Sequence, residues 1–180
     1  MKIGPDGLLG GVPYIASPNC DERPALTEVS LLVLHSISLP PGEYGGDAIE
    51  RLFTNRLDPQ AHPYFREVSS LEVSAHFLVR RDGGLVQFVP LGLRAWHAGA
   101  SVWRGRSCCN DFSVGVEMEG TDDSAFEAVQ YRRLCELIHV LRAALPLRDI
   151  AAHSDVAPGR KTDPGAHFDW ARLLSGLSRA

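Results

Sequence analysis

The chain has 180 residues, of which 44% are hydrophobic and 22% charged, and its formal net charge is −4. This length and composition predict one soluble globular domain with a sizeable core. The small negative charge argues against a nucleic-acid partner or an anionic membrane, no apolar run approaches the ~20 residues of a membrane span, and nothing implies a protein partner.

Residues 1–28 are rich in glycine, proline, aspartate and asparagine, and they predict an extended N-terminal arm packed on a domain of residues 29–180. The first 24 residues have one lysine and no continuous apolar core, unlike a secretory signal peptide. Four cysteines are present: Cys20, Cys108, Cys109 and Cys135. They include no CxxC pair, so we expect reduced thiols and a cytoplasmic location.

Hydrophobic periodicity and turn residues predict the regular elements. Strands are predicted at 30–36, 73–80, 85–89, 112–118 and 150–153, and helices at 47–55, 124–145 and 168–177. Residues 38–46, 58–64 and 91–110 are predicted loops, and Asp82-Gly83-Gly84 is a predicted hairpin turn. The pattern predicts an α/β fold: a single domain with a mixed central β-sheet flanked by helices.

Within the longest predicted helix, Ser124 is the expected cap and Cys135 is expected in the core. His139 falls off the apolar stripe, so we expect it on the solvated surface. In the strand 112–118, alternation predicts one apolar face and one face that carries Ser113, Gly115 and Glu117.

The segment 153–165 combines potential metal ligands with two Pro-Gly pairs that predict an ordered loop. His153 and Asp163 stand ten positions apart, and both side chains are good ligands for Zn²⁺. The best candidate for a third ligand is His35, at the end of the buried strand 30–36. The pattern predicts a zinc site with three protein ligands and one open position.

Hydrolysis at such a site needs a base that takes a proton from water. Glu117 is the leading candidate because its neighbours are apolar or small, and burial raises the pKa of a carboxyl. Glu119, two residues later and on the same face, is the alternative. Lys161, in the ligand loop, could stabilise an oxyanion. The sequence has no HExxH helix, GxSxG elbow or P-loop.

Six runs along the chain resemble the AmpD family of N-acetylmuramyl-L-alanine amidases. They are HSISLPPGEYGG, LFTNRLDPQAHPYF, VSAHFLVRRDG, RAWHAG, CNDFSVGVEMEGTD and APGRKTDPGAHFDWAR. The resemblance implies the peptidoglycan-recognition and phage-lysozyme amidase fold. It also implies a cytoplasmic zinc amidase that cleaves between the lactyl group of 1,6-anhydro-N-acetylmuramic acid and L-alanine of soluble muropeptides in cell-wall recycling.

The family's metal ligands match His35, His153 and Asp163, its acid/base glutamate matches Glu117, and its transition-state lysine matches Lys161. The resemblance thus favours Glu117 over Glu119. We also expect four residues to contact the substrate: Ser36, Trp96, His97 and Arg160. An aromatic face such as Trp96 suits a pyranose ring. His76 is expected to be structural or to lie just outside the metal ligands, and we assign no role to His62 and His167.

The chain departs from the family pattern near the expected substrate site. Ser36 stands where asparagine is usual, Gly159 where glutamate is usual, and Ser154 where cysteine is frequent. Cys108 and Glu72 stand where basic residues occur. These departures leave the expected chemistry intact and affect the recognition of sugar and peptide.

Two other functions are alternatives to this one. Animal peptidoglycan-recognition proteins share the implied fold, and some bind without catalysis after losing a metal ligand; Asp163, Glu117 and Lys161 argue against that function here. A periplasmic amidase acting on polymeric wall would need an export signal, and residues 1–24 do not resemble one.

Overall fold

A computed structural model describes residues 1–178 of the chain; the predicted domain 29–180 therefore ends just beyond the described residues. The strands in chain order are β1 (Cys20–Glu22), β2 (Leu31–Ile37), β3 (Phe77–Val79), β4 (Leu85–Gln87), β5 (Leu93–Ala95), β6 (Val102–Trp103), β7 (Arg106–Ser107), β8 (Ser113–Glu119) and β9 (Asp149–Ala152). The α-helices are α1 (Ala48–Phe53), α2 (Phe65–Val68), α3 (Ala128–Ala144), α4 (His153–Val156) and α5 (Trp170–Leu177), and a 3₁₀ turn spans Cys109–Phe112.

The central sheet has the strand order β4-β3-β8-β2-β9. β2 lies between β8 and β9 and is parallel to both, β3 is parallel to β8, and β4 pairs with β3 in antiparallel orientation. The long helix α3 and the C-terminal helix α5 pack together against one face, and α1 packs near the other. The predicted mixed α/β sheet flanked by helices is confirmed.

Side chains of β2 alternate between the two faces of the sheet. Leu32 and Leu34 lie in the core formed with α3 and α5, whereas Val33 lies in a separate cluster on the opposite face. His35 shares the face of Val33, because residues two apart on a strand point the same way. Glu117 of β8 is the register partner of His35, so both chemical side chains lie on the face away from α3. The apolar alternation predicted for β8 is also found, with Val114, Val116 and Met118 in the α3 core.

Several predicted boundaries were wrong for identifiable reasons. The strand predicted from residue 73 begins at Phe77. Residues 73–76 form no regular strand pairing, because their amides donate to different segments: the Ser74 N–H to the Trp96 carbonyl and the His76 N–H to the Gly115 carbonyl. The longest helix begins at Ala128 and not at Ser124. Glu127 caps it in a capping box with Gln130, while the Ser124 hydroxyl bonds Thr121 and Tyr44.

His153 begins the helical turn α4 and does not end a strand, since the Asp155 carboxylate accepts a hydrogen bond from the Ala152 N–H at 2.8 Å. The last helix begins at Trp170 and not at Phe168, because the Asp169 side chain caps it by accepting from the Arg172 N–H. Short helix α2 was not predicted.

The predicted loop 91–110 contains regular structure. Its β5 pairs with β1 in antiparallel orientation, with Cys20 opposite Ala95, and β6 and β7 form a hairpin. The first 28 residues therefore contribute strand β1, and Leu9 is buried in the α3 core. Arg23 links this segment to the sheet: its guanidinium donates to the carbonyls of Leu91, Asn110, Asp111 and Ser113.

The predictions for two side chains of α3 had different outcomes. Cys135 is half-buried against the core, close to the position predicted for it. His139 was predicted on the solvated surface but is half-buried, and its Nε2 has neither solvent contact nor a hydrogen-bond partner among the described residues. Among the helices of residues 1–178, none has the length and apolar character to cross a membrane.

Candidate metal centre and active site

Three potential ligand atoms converge at one edge of the sheet. The His35 Nδ1 lies 2.9 Å from the His153 Nδ1 and 3.2 Å from the Asp163 Oδ2, and the latter two atoms are 3.0 Å apart. β2 and β9 are parallel neighbours with Leu34 opposite Ala152, so the residues that follow these two, His35 and His153, become neighbours. The structure thus brings together all three predicted metal ligands.

The outer nitrogens of the two imidazoles have their own partners. The His153 Nε2 lies 3.3 Å from the carbonyl oxygen of Ala98, which can only accept, so Nε2 carries the proton and Nδ1 presents a lone pair. The His35 Nε2 is 3.0 Å from the His97 Nδ1, and the His97 Nε2 is 3.1 Å from the Ser113 hydroxyl. We assign the His35 Nε2–H as donor to the His97 Nδ1, and the His97 Nε2–H as donor to the Ser113 hydroxyl oxygen.

With this assignment, two imidazole lone pairs and one carboxylate oxygen face one another at about 3 Å. A cation between them would replace their mutual repulsion by coordination, and outer hydrogen bonds of this kind are typical of metal-binding histidines. Burial lowers the pKa of His35 to about 4, which favours its neutral, metal-binding form. Two neutral nitrogens and one anionic oxygen fit Zn²⁺.

Glu117 lies beside these ligands as a buried carboxyl. Its residue surface is only 8% exposed, and its Oε2 has no hydrogen-bond partner among the described residues. Burial, followed by the charge of Asp163, raises the pKa of Glu117 well above its ordinary value, and Lys161 opposes this shift. A buried carboxyl with a free oxygen at a cavity wall is suited to proton transfer.

Glu119, the alternative base, is engaged elsewhere. Its carboxylate accepts from the Gly45 N–H at 2.7 Å and the Arg81 N–H at 2.8 Å, and it lies 3.3 Å from the Arg80 guanidinium. These contacts fasten the loop before α1 to the end of β8. A carboxylate with this many donors has no free oxygen to accept a proton from water.

The three ligands and Glu117 line a cavity of about 510 Å³. A neighbouring cavity of about 210 Å³ shares His153 and Lys161 with it and is also lined by Glu72. The four residues predicted to contact substrate all line the larger cavity: Ser36, Trp96, His97 and Arg160. Lys161 is exposed on the same wall.

Each of these four side chains also contacts other protein groups. The Trp96 indole N–H donates to the Asp21 carboxylate at 3.1 Å, and the Arg160 guanidinium donates to the carbonyls of Ala98 and Ala100. His97 contacts the outer nitrogen of His35, and Ser36 donates to Asp122. Their contact with substrate stays a prediction.

Sequence reasoning missed three polar residues that support the ligands. Ser113 accepts from His97, and the Asn110 Oδ1 accepts from the N–H groups of His97 and Ala98. Asp122 bonds Ser36 and Thr162. Only spatial neighbours reveal these roles, because the partners are 12 to 86 positions apart. His76 was expected to be structural or to lie just outside the metal ligands; it is buried behind His97, where its Nδ1 accepts from the Gly115 N–H at 3.0 Å.

Gly115 makes room for the ring of His97. A Cβ at residue 115 would lie 2.5 Å from the His97 Cγ, which is shorter than any normal contact. We expect Gly115→Ala to displace His97, to destabilise the protein by about 1–3 kcal/mol and to weaken metal binding. Thermal unfolding and zinc titration measure the two effects. Gly92→Ala is the matched control, since a Cβ there meets no atom within 4 Å; equal behaviour of the two variants would contradict the role of Gly115.

Comparisons with known proteins show which proteins this chain is similar to. The family of N-acetylmuramoyl-L-alanine amidases matches residues 25–166. A 1,6-anhydro-N-acetylmuramyl-L-alanine amidase, AmpD, of Escherichia coli K12 is 52% identical over 175 residues, which cover 96% of each chain. A crystal structure of a selenomethionine AmpD derivative superposes with a TM-score of 0.94 at 47% identity, over 98% of this chain and 99% of that one.

A more distant structure contains a ligand. It is the complex of the N-acetylmuramyl-L-alanine amidase AmiD from E. coli with the substrate anhydro-N-acetylmuramic acid-L-Ala-D-gamma-Glu-L-Lys. The TM-score is 0.61 at 28% identity, and the match covers 87% of this chain and 60% of that one.

Proposed function

Because this chain belongs to the N-acetylmuramoyl-L-alanine amidase family, we propose that it is a zinc-dependent amidase that acts on 1,6-anhydro-muropeptides. The bond cleaved is the amide between the lactyl group of the anhydro sugar and L-alanine. One observation carries the proposal: three converging ligand atoms lie beside the free, buried carboxyl of Glu117 in an open cavity.

His35, His153 and Asp163 hold the metal in this proposal. A zinc ion supplies Lewis-acid chemistry, since it polarises a carbonyl and acidifies water. Glu117 accepts the proton of the attacking water and delivers it to the leaving amine, a shuttle that its raised pKa favours. Lys161, on the same cavity wall, stabilises the negative charge that develops on the carbonyl oxygen.

The chain's similarity to AmpD supports the choice of substrate. The relative from E. coli K12 is named for the 1,6-anhydro sugar and matches over nearly its whole length. The more distant AmiD complex contains an anhydro sugar with a peptide attached. The cavity of about 510 Å³ suits one soluble fragment of this kind. We propose that such fragments arise during cell-wall recycling; a cytoplasmic location stays a prediction.

Substrate preference tests this function. We expect the zinc-loaded protein to cleave 1,6-anhydro-muramyl-tripeptide much faster than its reducing-end counterpart or intact sacculi, because the similar E. coli enzyme is named for the 1,6-anhydro sugar. Mass spectrometry should detect free tripeptide and the anhydro sugar. Comparable cleavage of sacculi would overturn the recycling role and favour a wall amidase, while no cleavage of any of the three would overturn the amidase proposal.

A further inference from the structure

Asp122 bonds the immediate sequence neighbours of two proposed metal ligands. The Ser36 hydroxyl, next to His35, donates to the Asp122 Oδ1 at 2.7 Å. The Thr162 hydroxyl, next to Asp163, donates to the Asp122 Oδ2. One carboxylate therefore joins the end of β2 to the ligand loop, and we call Ser36, Asp122 and Thr162 the carboxylate clasp.

The backbone of Asp122 also lies against the ligand loop. A Cβ at residue 165 would overlap the main chain of Asp122, so only glycine fits there, and its φ of +86° also favours glycine. The Gly165 N–H donates to the Thr162 carbonyl at 3.0 Å, closing a turn around Asp163. Asp122 thus holds the loop on both sides of its ligand residue.

Asp122 itself is anchored to the sheet. Its segment follows β8, and the Gly120 N–H continues the pairing with β2 by donating to the Ile37 carbonyl at 2.9 Å. The sheet therefore determines where the carboxylate stands, whereas the ligand loop has one α-helical turn and no strand between His153 and Gly165. A rigid acceptor on one side and a loop on the other is the arrangement expected of a residue that positions a ligand.

We propose that Asp122 is a positioning residue that keeps the Asp163 carboxylate at coordination distance from His35 and His153. This inference rests on the metal centre proposed above. Partners just outside the ligands typically contribute 10- to 100-fold to metal affinity. The clasp also explains the departure at residue 36: serine donates through its hydroxyl, and an asparagine could donate to the same oxygen through its amide.

Zinc affinity, measured by competition with a chromogenic chelator, tests the clasp. We expect Asp122→Ala to weaken binding about 10- to 100-fold, with smaller losses for Ser36→Ala and Thr162→Val, which remove one donor each. Ser36→Asn should retain most of the zinc affinity that Ser36→Ala loses. Because Thr162 acts through Asp122, the double variant Asp122→Ala/Thr162→Val should bind zinc no more weakly than Asp122→Ala alone. Asp123→Ala, at an exposed neighbour, is the control.

Other outcomes would overturn the clasp. Unchanged zinc affinity in Asp122→Ala with a raised KM would make Asp122 a substrate contact. If the losses of zinc affinity in Asp122→Ala and Thr162→Val are fully additive in the double variant, the two residues act independently and the clasp is refuted. If Asp122→Ala does not fold, the conservative variants Ser36→Ala and Thr162→Val decide in its place, and wild-type affinity in both would refute the proposal.

A metal-free measurement separates this inference from the proposed function. Two amides of the ligand loop report on the clasp: the Ser154 N–H donates to the Asp163 carbonyl at 3.0 Å, and the Gly165 N–H donates to the Thr162 carbonyl. Loss of the clasp should speed hydrogen exchange of these two amides in Thr162→Val but not in Asp123→Ala. A protein that binds no zinc would refute the metal centre, whereas unchanged exchange would refute the clasp.

Discussion

Replacing His153 with alanine is expected to abolish zinc binding and amidase activity together. Wild-type protein should carry about one zinc per chain, because three ligands leave one position open for catalysis. In the variant, the His35 Nδ1 and the Asp163 Oδ2 remain, and two ligands hold zinc weakly. Elemental analysis after dialysis measures the metal content, and turnover of 1,6-anhydro-muramyl-tripeptide measures the activity.

Thermal unfolding adds a second readout for the metal. Zinc at 100 times its dissociation constant should stabilise the wild type by about 2.7 kcal/mol and leave His153→Ala nearly unaffected. His167→Ala is the matched control, because His167 is an exposed histidine in the same region. Equal zinc content in wild type and His153→Ala would refute the ligand assignment.

Replacing Glu117 with glutamine is expected to lower the turnover rate on the order of 10²–10⁴-fold while zinc content stays at the wild-type level. The amide has nearly the shape of the carboxyl, but it cannot take up and return a proton. Because the Glu117 Oε2 has no partner among the described residues, the substitution breaks no hydrogen bond at that atom. The free energy of unfolding should therefore stay the same or rise.

Lys161→Ala and Glu119→Gln complete this comparison. Lys161→Ala should retain zinc and lose about 10²–10³-fold in turnover, as expected for a charge that acts on the transition state. Glu119→Gln removes a carboxylate bonded to Gly45, Arg81 and Arg80, so its main effect should be on stability. Near wild-type turnover in zinc-loaded Glu117→Gln would exclude Glu117 as the base.

The sheet was predictable where burial dominates the sequence. The run before His35 is apolar on both faces, and the alternation in residues 113–118 separates a core face from a chemical face. Both patterns follow from the hydrophobic effect, which favours removing apolar side chains from water. Its result is visible in the order of apolar and polar residues along each segment. For the same reason α3 was predicted, although its start was placed at Ser124 and not at Ala128, because Glu127 and Gln130 decide where it begins.

The ligand atoms were identified by residue type, but their supporting shell was not predictable. The sequence did not predict that the His97 ring lies against the outer nitrogen of His35, in the space left by Gly115. Asp122 had no predicted role, although it bonds the neighbours of His35 and Asp163. The hydrogen bonds of His97 to His35 and of Asp122 to Ser36 and Thr162 join residues 40 to 86 positions apart, and no local pattern encodes such pairs.

The sequence by itself determined the fold class and which residue types could bind a metal and move a proton, because burial pattern and side-chain chemistry are properties of the residues. Tertiary structure alone decided the distances of about 3 Å among His35, His153 and Asp163, the free oxygen of Glu117 and the engagement of Glu119. Those features depend on strand register, since the pairing of β2 with β8 and β9 is what places residues from distant parts of the chain at one edge of the sheet.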